Sequence, residues 1–387
     1  MNLYIKMNKF IYIIFILLCV LLFSELSSRF YLRYIVEKSP KKKYRFSYYK
    51  VYEHMPNWEE NDKNGVIRMK FNMNGFRRDQ DVSKSKPDNT YRAFLLGGSA
   101  AHGYSRLKMK GYPIRHIYQN ETIDAFLEKK LKIQFPHKNI EIINAAVAGY
   151  HVFQHTQYIL SELIDYQPDL IIFFDGINDH FINNPNYNSY LNYKYQFWKS
   201  RLQDPSLWGL FDYFIYYMAN YSALFRGYHS LNLQKDVIKF IDESSSFIND
   251  QNQSNKHNIV SKRQLLRNID LNYYILKMEG IDIISCLQPM LKLRNDKMLT
   301  QEELDLKFGP PDNIELYPII ADELDSLASK YTIDFIDFNP IFNNQKYKEN
   351  QLFLDYCHLT PTGGEVVADK LFPLVEKKIR NRLVEFK

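Results

Sequence analysis

The run Leu170 to Phe174 (LIIFF) is the most constraining feature of this chain. It follows Pro168 and contains no polar residue, as expected of a strand buried on both faces. Such a strand needs helices over both sides of its sheet, and the flanking sequence supplies them. Tyr91 to Leu96 (YRAFLL), Ile140 to Val147 (IEIINAAV), Ile281 to Leu287 (IDIISCL) and Ile333 to Phe338 are further strand candidates. Between and after them, Ile123 to Leu131, Thr156 to Tyr166, Gln264 to Met278, Ile314 to Lys330 and Glu365 to Arg382 read as helices. Strands alternating with helices argue for an α/β fold with a parallel sheet.

Composition narrows the function classes. With 45% hydrophobic and 24% charged residues the chain sits at the globular average, so wholesale disorder is excluded. Its 387 residues allow two or three domains, or one enlarged catalytic domain with extras. Three cysteines, Cys19, Cys286 and Cys357, cannot make a disulfide framework or a four-thiolate zinc site. The net charge of +6 is modest and scattered except near the N-terminus, so no nucleic-acid partner is expected. Aromatics are the unusual figure, at 16%, and much of the excess falls between Ile182 and Val260, where the strand–helix alternation stops. That segment reads as a mainly helical insertion beside the site. Its stretch Leu207 to Tyr221 packs on the core or grips a ligand, with Trp198 or Trp208 as a stacking platform.

The N-terminus carries the strongest apolar run, Phe10 to Phe23, preceded by Lys6 and Lys9. About 14 residues span only ~21 Å, short of a ~30 Å hydrocarbon core, which suits a signal-peptide core. The small residues of a cleavage site are missing, and Leu18 stands where a lipoprotein signal needs a small residue before Cys19. Residues 1–28 therefore read as an uncleaved signal-anchor, 29–89 as an irregular stalk and lead-in, and 90–387 as the catalytic domain with its insertion at about 182–260. The portion after the anchor is expected outside the membrane. Arg29, Arg33 and Lys38 to Lys43 argue the opposite direction, because basic residues near a span favour the inner side.

Several chemical motifs fail on one residue each. Gly98 to Gly103 has phosphate-loop spacing, but Tyr104 stands where the lysine must be. His151 and His155 lack the glutamate of a zinc protease, since Val152 follows His151, and two histidines do not make a catalytic zinc site. Ala101 replaces the last glycine of a G-x-S-x-G elbow. No cofactor and no metal is expected. What remains is Gly97-Gly98-Ser99, a serine in a tight turn directly after a strand, at the carboxyl edge where open α/β sheets put their sites. A serine needs a base and the base an orienting acid. His358 and Asp355, three residues apart before the last helix, supply both. Cys357 reads as a packed thiol and Asp179 as a brace for its turn. His102 and His180 lie near enough in sequence to touch substrate, although a structural role is favoured for both.

At Gly97-Gly98-Ser99, Asn144 to Gly149, Gly176-Ile177-Asn178-Asp179 and Asp355 to His358 the chain resembles the SGNH/GDSL hydrolase superfamily. The four blocks stand in the family's order over roughly residues 90–180 and 280–385. Gly-Gly-Ser-Ala replaces the family's Gly-Asp-Ser-Leu, and in this and in Asn74-Gly75-Phe76-Arg77 the chain resembles membrane-anchored bacterial members. The resemblance implies a flavodoxin-like α/β/α fold, Ser99 as nucleophile, His358 as base and Asp355 orienting it. It also implies an oxyanion hole from the backbone N–H groups of Ser99 and Gly149 and the Asn178 amide. The expected activity is ester hydrolysis or acyl transfer on O-acyl esters, such as acetyl esters, of a cell-envelope glycan. A lipid-directed, lysophospholipase-like esterase and a catalytically silent glycan-binding protein are the competing readings.

Overall fold

The structure, a computed structural model, describes residues 2–30, 43–104 except 48, 115–180, 218, 222, 224, 225, 251–307, 314 and 316–385. The helices are α1 (Asn2–Phe30), α2 (Ser99–His102), α3 (Ile123–Gln134), α4 (Val152–Ser161), α5 (Ile177–His180), α6 (Gln251–Met278), α7 (Gln301–Leu306), α8 (Leu316–Lys330), α9 (Phe338–Phe342) and α10 (Pro361–Glu385). The strands are β1 (Tyr44–Ser47), β2 (Val51–His54), β3 (Glu59–Asn61), β4 (Ile67–Lys70), β5 (Thr90–Gly97), β6 (Asn139–Asn144), β7 (Leu170–Asp175), β8 (Asp282–Leu287) and β9 (Asp334–Asp337).

The last five strands form one sheet in the order β6-β5-β7-β8-β9, every pair parallel. Renumbered among themselves they run 2-1-3-4-5, the flavodoxin-like doubly wound order. The expected architecture is therefore the one observed. Alternate side chains of each strand feed opposite cores. Phe94, Leu96, Ile171 and Phe173 pack with Val152 and Ile159 of α4, Leu265 and Tyr273 of α6 and Leu324 of α8. Ala93, Leu95, Ile172 and Phe174 pack with Leu127 and Leu131 of α3 and with Val367, Leu371 and Val375 of α10. All six residues of β7 are buried. Fully burying an aliphatic or phenyl side chain contributes about 1.5–3 kcal/mol, so this one strand anchors both layers.

The lead-in expected to be irregular holds two antiparallel hairpins, β1–β2 and β3–β4. Trp58, Phe71 and Phe76 are buried, at 8%, 0% and 0% exposure. These strands are short and mostly polar, and their burial comes from a few aromatics, so no period-2 apolar pattern announces them.

The chain divides into two compact units, and residues 43–183 with 252–387 make the one that contains the sheet. The other unit comprises residues 1–42 and 184–251. Its α1 is helical well past the apolar run, and Ile11–Phe30 forms a 20-residue segment of mean hydropathy 2.3, long and apolar enough to cross a membrane. Glu25 near its end accepts hydrogen bonds from Ser222 Oγ at 2.6 Å and Leu224 N at 3.1 Å, which ties the insertion to α1. Most of the insertion, including Trp198 and Trp208, lies outside the described residues, while 251–260 form the first turns of α6.

Candidate active site

The strand order reverses between β5 and β7, and the crevice at that switch point is where such sheets take ligands. β5 ends at Gly97 and β7 at Asp175, so their following turns face each other there. Gly97 must be glycine for steric reasons, because a Cβ would meet Ala101 Cβ and the Phe174 carbonyl oxygen at 2.5 Å each. The next turn, α2, begins at Ser99 and closes at Gly103 in the left-handed region, φ 76°. His102 N donates to Gly98 O and Tyr104 N to Ser99 O, both at 3.0 Å. From outside, the buried Arg77 Nη1 donates to His102 O and Gly103 O at 2.6 and 2.7 Å, and Asn144 Nδ2 donates to Ala101 O at 3.1 Å. The serine turn is thus bolted down on both sides before any ligand arrives.

Gly149 sits in a turn closed by Tyr150 N donating to Val147 O at 3.0 Å, with φ 81°. A Cβ there would be strained and would lie 2.7 Å from the Tyr52 hydroxyl, which itself donates to Ala148 O at 2.7 Å. Asn178, in the turn after β7, joins the two other candidate donors. Its Nδ2 donates to Tyr150 O at 2.8 Å, next to Gly149, and it lies against Gly98, next to Ser99. One amide hydrogen is used in that bond, and the amide carries a second. Ser99 N heads a helical turn, so it has no intrahelical acceptor.

The loop 352–360 presents the acid and the imidazole. It closes as a small hairpin through Leu354 N to His358 O at 2.8 Å and Thr360 N to Leu352 O at 2.9 Å. Asp355 Oδ1 accepts from Cys357 N at 3.0 Å and His358 N at 2.9 Å, and Asp355 Oδ2 accepts from His358 Nδ1 at 2.7 Å. A carboxylate only accepts, so Nδ1 carries the proton and Nε2 of the neutral ring is left as the basic nitrogen. Nε2 is buried and has no hydrogen-bond partner. The Tyr104 ring lies 5.4 Å from the His358 ring and follows directly from the Ser99 turn, which puts the turn and the imidazole in one neighbourhood.

Charge follows from these contacts. Burial works against the His358 cation, and the neighbouring Cys357 and Asp355 more than offset it, holding the imidazole well above its ordinary range. Cys357 is itself pushed up by burial and stays a neutral thiol, so the Asp355 carboxylate is the effective charge. Burial also opposes the Asp355 charge, but His358 and two backbone N–H groups keep that carboxyl below its usual value.

Serine turn, glycine turn, asparagine amide and aspartate–histidine loop all sit on carboxyl ends of a 2-1-3-4-5 parallel sheet. This is a flavodoxin-like doubly wound α/β fold. No family model and no curated protein matches the chain. Among solved structures it is similar to the acetyl xylan esterase AlAXEase, at 13% identity over 73% of this chain and 99% of that one, TM-score 0.40. It is also similar to Axe2, an acetylxylan esterase from Geobacillus stearothermophilus (12%, covering 73% and 93%, TM-score 0.41). A third is a GDSL-like lipase from Bacteroides thetaiotaomicron (11%, covering 76% and 92%, TM-score 0.38).

Other candidates find different places in this α/β fold. His102 is fully buried, its Nδ1 3.1 Å from Ala146 O and its ring packed on His54 and Phe71, so it faces the core rather than a ligand. The His180 side chain and both tryptophans proposed for substrate lie outside the described residues. His151 and His155 face acids rather than a shared metal. His155 Nδ1 is 3.1 Å from Asp175 Oδ2, and Asp179 accepts from Val152 N, bracing the first turn of α4 rather than its own turn. Cys357 is packed at 1% exposure, yet its sulfur and ligand atoms of Asp355 and His358 lie within 4.8 Å of one another. That spacing suits a divalent cation, but the Asp355 oxygens are already taken and the thiol is protonated.

Four residues escaped sequence reasoning. Arg77, Asn144, Tyr52 and Tyr104 hold or border the site without belonging to a chemical motif. Asn144 and Arg77 had a signal, as the first residue of one block that carries the resemblance and the last of another.

Proposed function

We propose that this chain is a serine ester hydrolase of the SGNH/GDSL superfamily, membrane-anchored with its catalytic unit outside the membrane, acting on O-acyl esters of a cell-envelope glycan. In this reading Ser99 Oγ attacks the acyl carbonyl while His358 Nε2 takes its proton. The Asp355 carboxylate holds the imidazole in the required tautomer and stabilises the imidazolium that forms. Negative charge on the carbonyl oxygen is met by the N–H groups of Ser99 and Gly149 and by the free hydrogen of the Asn178 amide. The imidazolium then protonates the departing alcohol, and water activated by His358 releases the acid. A second alcohol in place of water makes the same site an acyltransferase.

The observation that carries this reading is the 2.7 Å contact between His358 Nδ1 and Asp355 Oδ2, with Nε2 left without a partner near the Ser99 turn. The apolar α1 supports the anchored location and, through it, the envelope substrate. The same helix favours a second reading, an esterase acting on lipids at the bilayer. Hydrolysis of p-nitrophenyl acetate by the full chain, compared with Ser99→Ala, tests the mechanism. Equal rates in the two proteins would remove Ser99 from the chemistry. A strong preference for long-chain over acetyl esters would select the lipid reading.

A further inference from the structure

Lys43 opens the described part of the hydrolase unit, and its ammonium stands among aromatic faces. Its Nζ lies 5.6 Å from the Tyr44 ring centroid, 5.7 Å from Trp58, 5.8 Å from Phe71 and 5.3 Å from Tyr104. The side chain is half-buried, and among the described residues its ammonium makes no ion pair or hydrogen bond. Glu60, whose charge acts on it, is already paired with Arg68. Ring quadrupoles steady a cation but do not neutralise it, and a partly desolvated charge without a counter-ion is unfavourable. Among the described residues the cation is therefore short of one negative partner.

Its position says what that partner belongs to. Tyr104, whose ring lies under the ammonium, is the residue whose other ring contact is His358, at 5.4 Å. Its backbone N–H is bonded to Ser99 O. The buried Arg77 adds a second positive charge to the same neighbourhood and spends its donors on backbone carbonyls. Burial, then Arg77, lowers Lys43 to about 8, so it is cationic at neutral pH.

Resting on the ester-hydrolase reading above, we propose that Lys43 and Tyr104 form an acidic-group subsite of the same active site, so that the acylated substrate is an anionic glycan. The scissile ester sits at Ser99 and His358, a sugar ring lies along Tyr104, and a carboxylate or phosphate meets Lys43. A carboxylate identifies a uronate-type glycan and a phosphate a glycerol- or sugar-phosphate polymer.

Two measurements on the full chain separate this from the catalytic reading. The first is Kd for acetylated oligogalacturonide and for acetylated glycerol-phosphate oligomer, measured with Ser99→Ala and with Ser99→Ala/Lys43→Met. Whichever anion is recognised should bind the first protein at least about tenfold more tightly, as one charge-assisted bond of about 1.5 kcal/mol or more gives. The second is the ratio of kcat/KM on the acidic ester to kcat/KM on neutral acetylated xylo-oligosaccharide. It should favour the acidic ester in wild type, drop about tenfold in Lys43→Met and recover in Lys43→Arg. No preference of the unsubstituted site for either anion over the neutral glycan overturns the inference even if Lys43→Met fails to fold. Acidic-glycan binding that depends on Lys43, with no hydrolysis of any ester, would uphold the subsite and overturn the esterase.

Discussion

The Asn178 amide nitrogen lies 2.1 Å from the point where a β-carbon on Gly98 would stand. The glycine before Ser99 is thus there to admit the amide from the turn after the neighbouring strand. Gly98 itself is not in the left-handed region, φ −86°, so its requirement is contact rather than backbone strain. Gly98→Ala is expected to push the Asn178 amide out of the site while leaving the sheet intact. Turnover on p-nitrophenyl acetate should fall roughly 10²–10³-fold, the usual cost of one oxyanion donor, and Asn178→Ala should match it. Normal turnover in Gly98→Ala would take Asn178 out of the mechanism.

The His358 imidazole titrates well above its ordinary value in the fold, against burial, because of Cys357 and the hydrogen-bonded Asp355 carboxylate beside it. A base must be neutral to accept a proton, so kcat/KM should climb with pH above neutrality. The linked stability has the opposite sign. A raised folded pKa contributes stability below the unfolded value, and that contribution is lost as pH rises through the folded one. Asp355→Asn should move the rising limb to lower pH and reduce kcat by up to about 10⁴ through the wrong tautomer. A pH–rate profile identical to wild type would contradict this.

Asp179 is buried at 3% exposure, and burial together with the Asp175 charge pushes it up to about 8. His151, His155, Asp175 and the Val152 N–H face it. An unfolded aspartate releases its proton at about 3.9, so between that pH and about 8 the unfolded chain binds fewer protons and stability falls as pH rises. Asp179→Asn keeps an oxygen for Val152 N without the titration. Its Tm should decline less than wild type between about pH 5 and about pH 8, and thermal melts across that range measure the difference.

Arg77, 1% exposed, donates to the carbonyls of His102, Gly103, Arg68, Ile117 and Tyr118. Truncation strands several buried acceptors, each costing about 1–3 kcal/mol. Arg77→Met should lower stability by at least about 3 kcal/mol in urea denaturation and reduce turnover by loosening the Ser99 turn. Lys is not a substitute, since one ammonium cannot reach what the planar fork reaches. A stable, fully active Arg77→Met protein would show that α2 is held by its other bonds alone.

For the anchored reading, alkaline phosphatase fused after Lys387 should be active, because that enzyme works only after export. Inactivity at normal expression, with a cytoplasmic fluorescent fusion bright at the same position, would reverse the orientation. It would also remove the argument from location to an envelope glycan.

The layers of the fold were legible because parallel strands buried on both faces must be written as apolar runs. Leu170 to Phe174 could be little else, while the flavodoxin-like strand order came only with the family resemblance. The residues proposed for the chemistry were legible too, since glycine, serine, asparagine and Asp-x-x-His sit in turns whose conformations restrict residue choice. Hairpins β1 to β4 were not, because short polar strands draw their burial from distant aromatics. Arg77 read as the end of a family stretch and Lys43 as one of the basic residues after the apolar run, and only the tertiary fold shows one sealed under carbonyls and the other boxed by rings. Cys357 faces its sequence neighbour because the Asp355 turn folds the loop back on itself. Local sequence states which backbone shapes and which faces are affordable. Burial, partner distance and proton affinity depend on atoms brought together from tens to hundreds of residues away, and those only the tertiary structure decides.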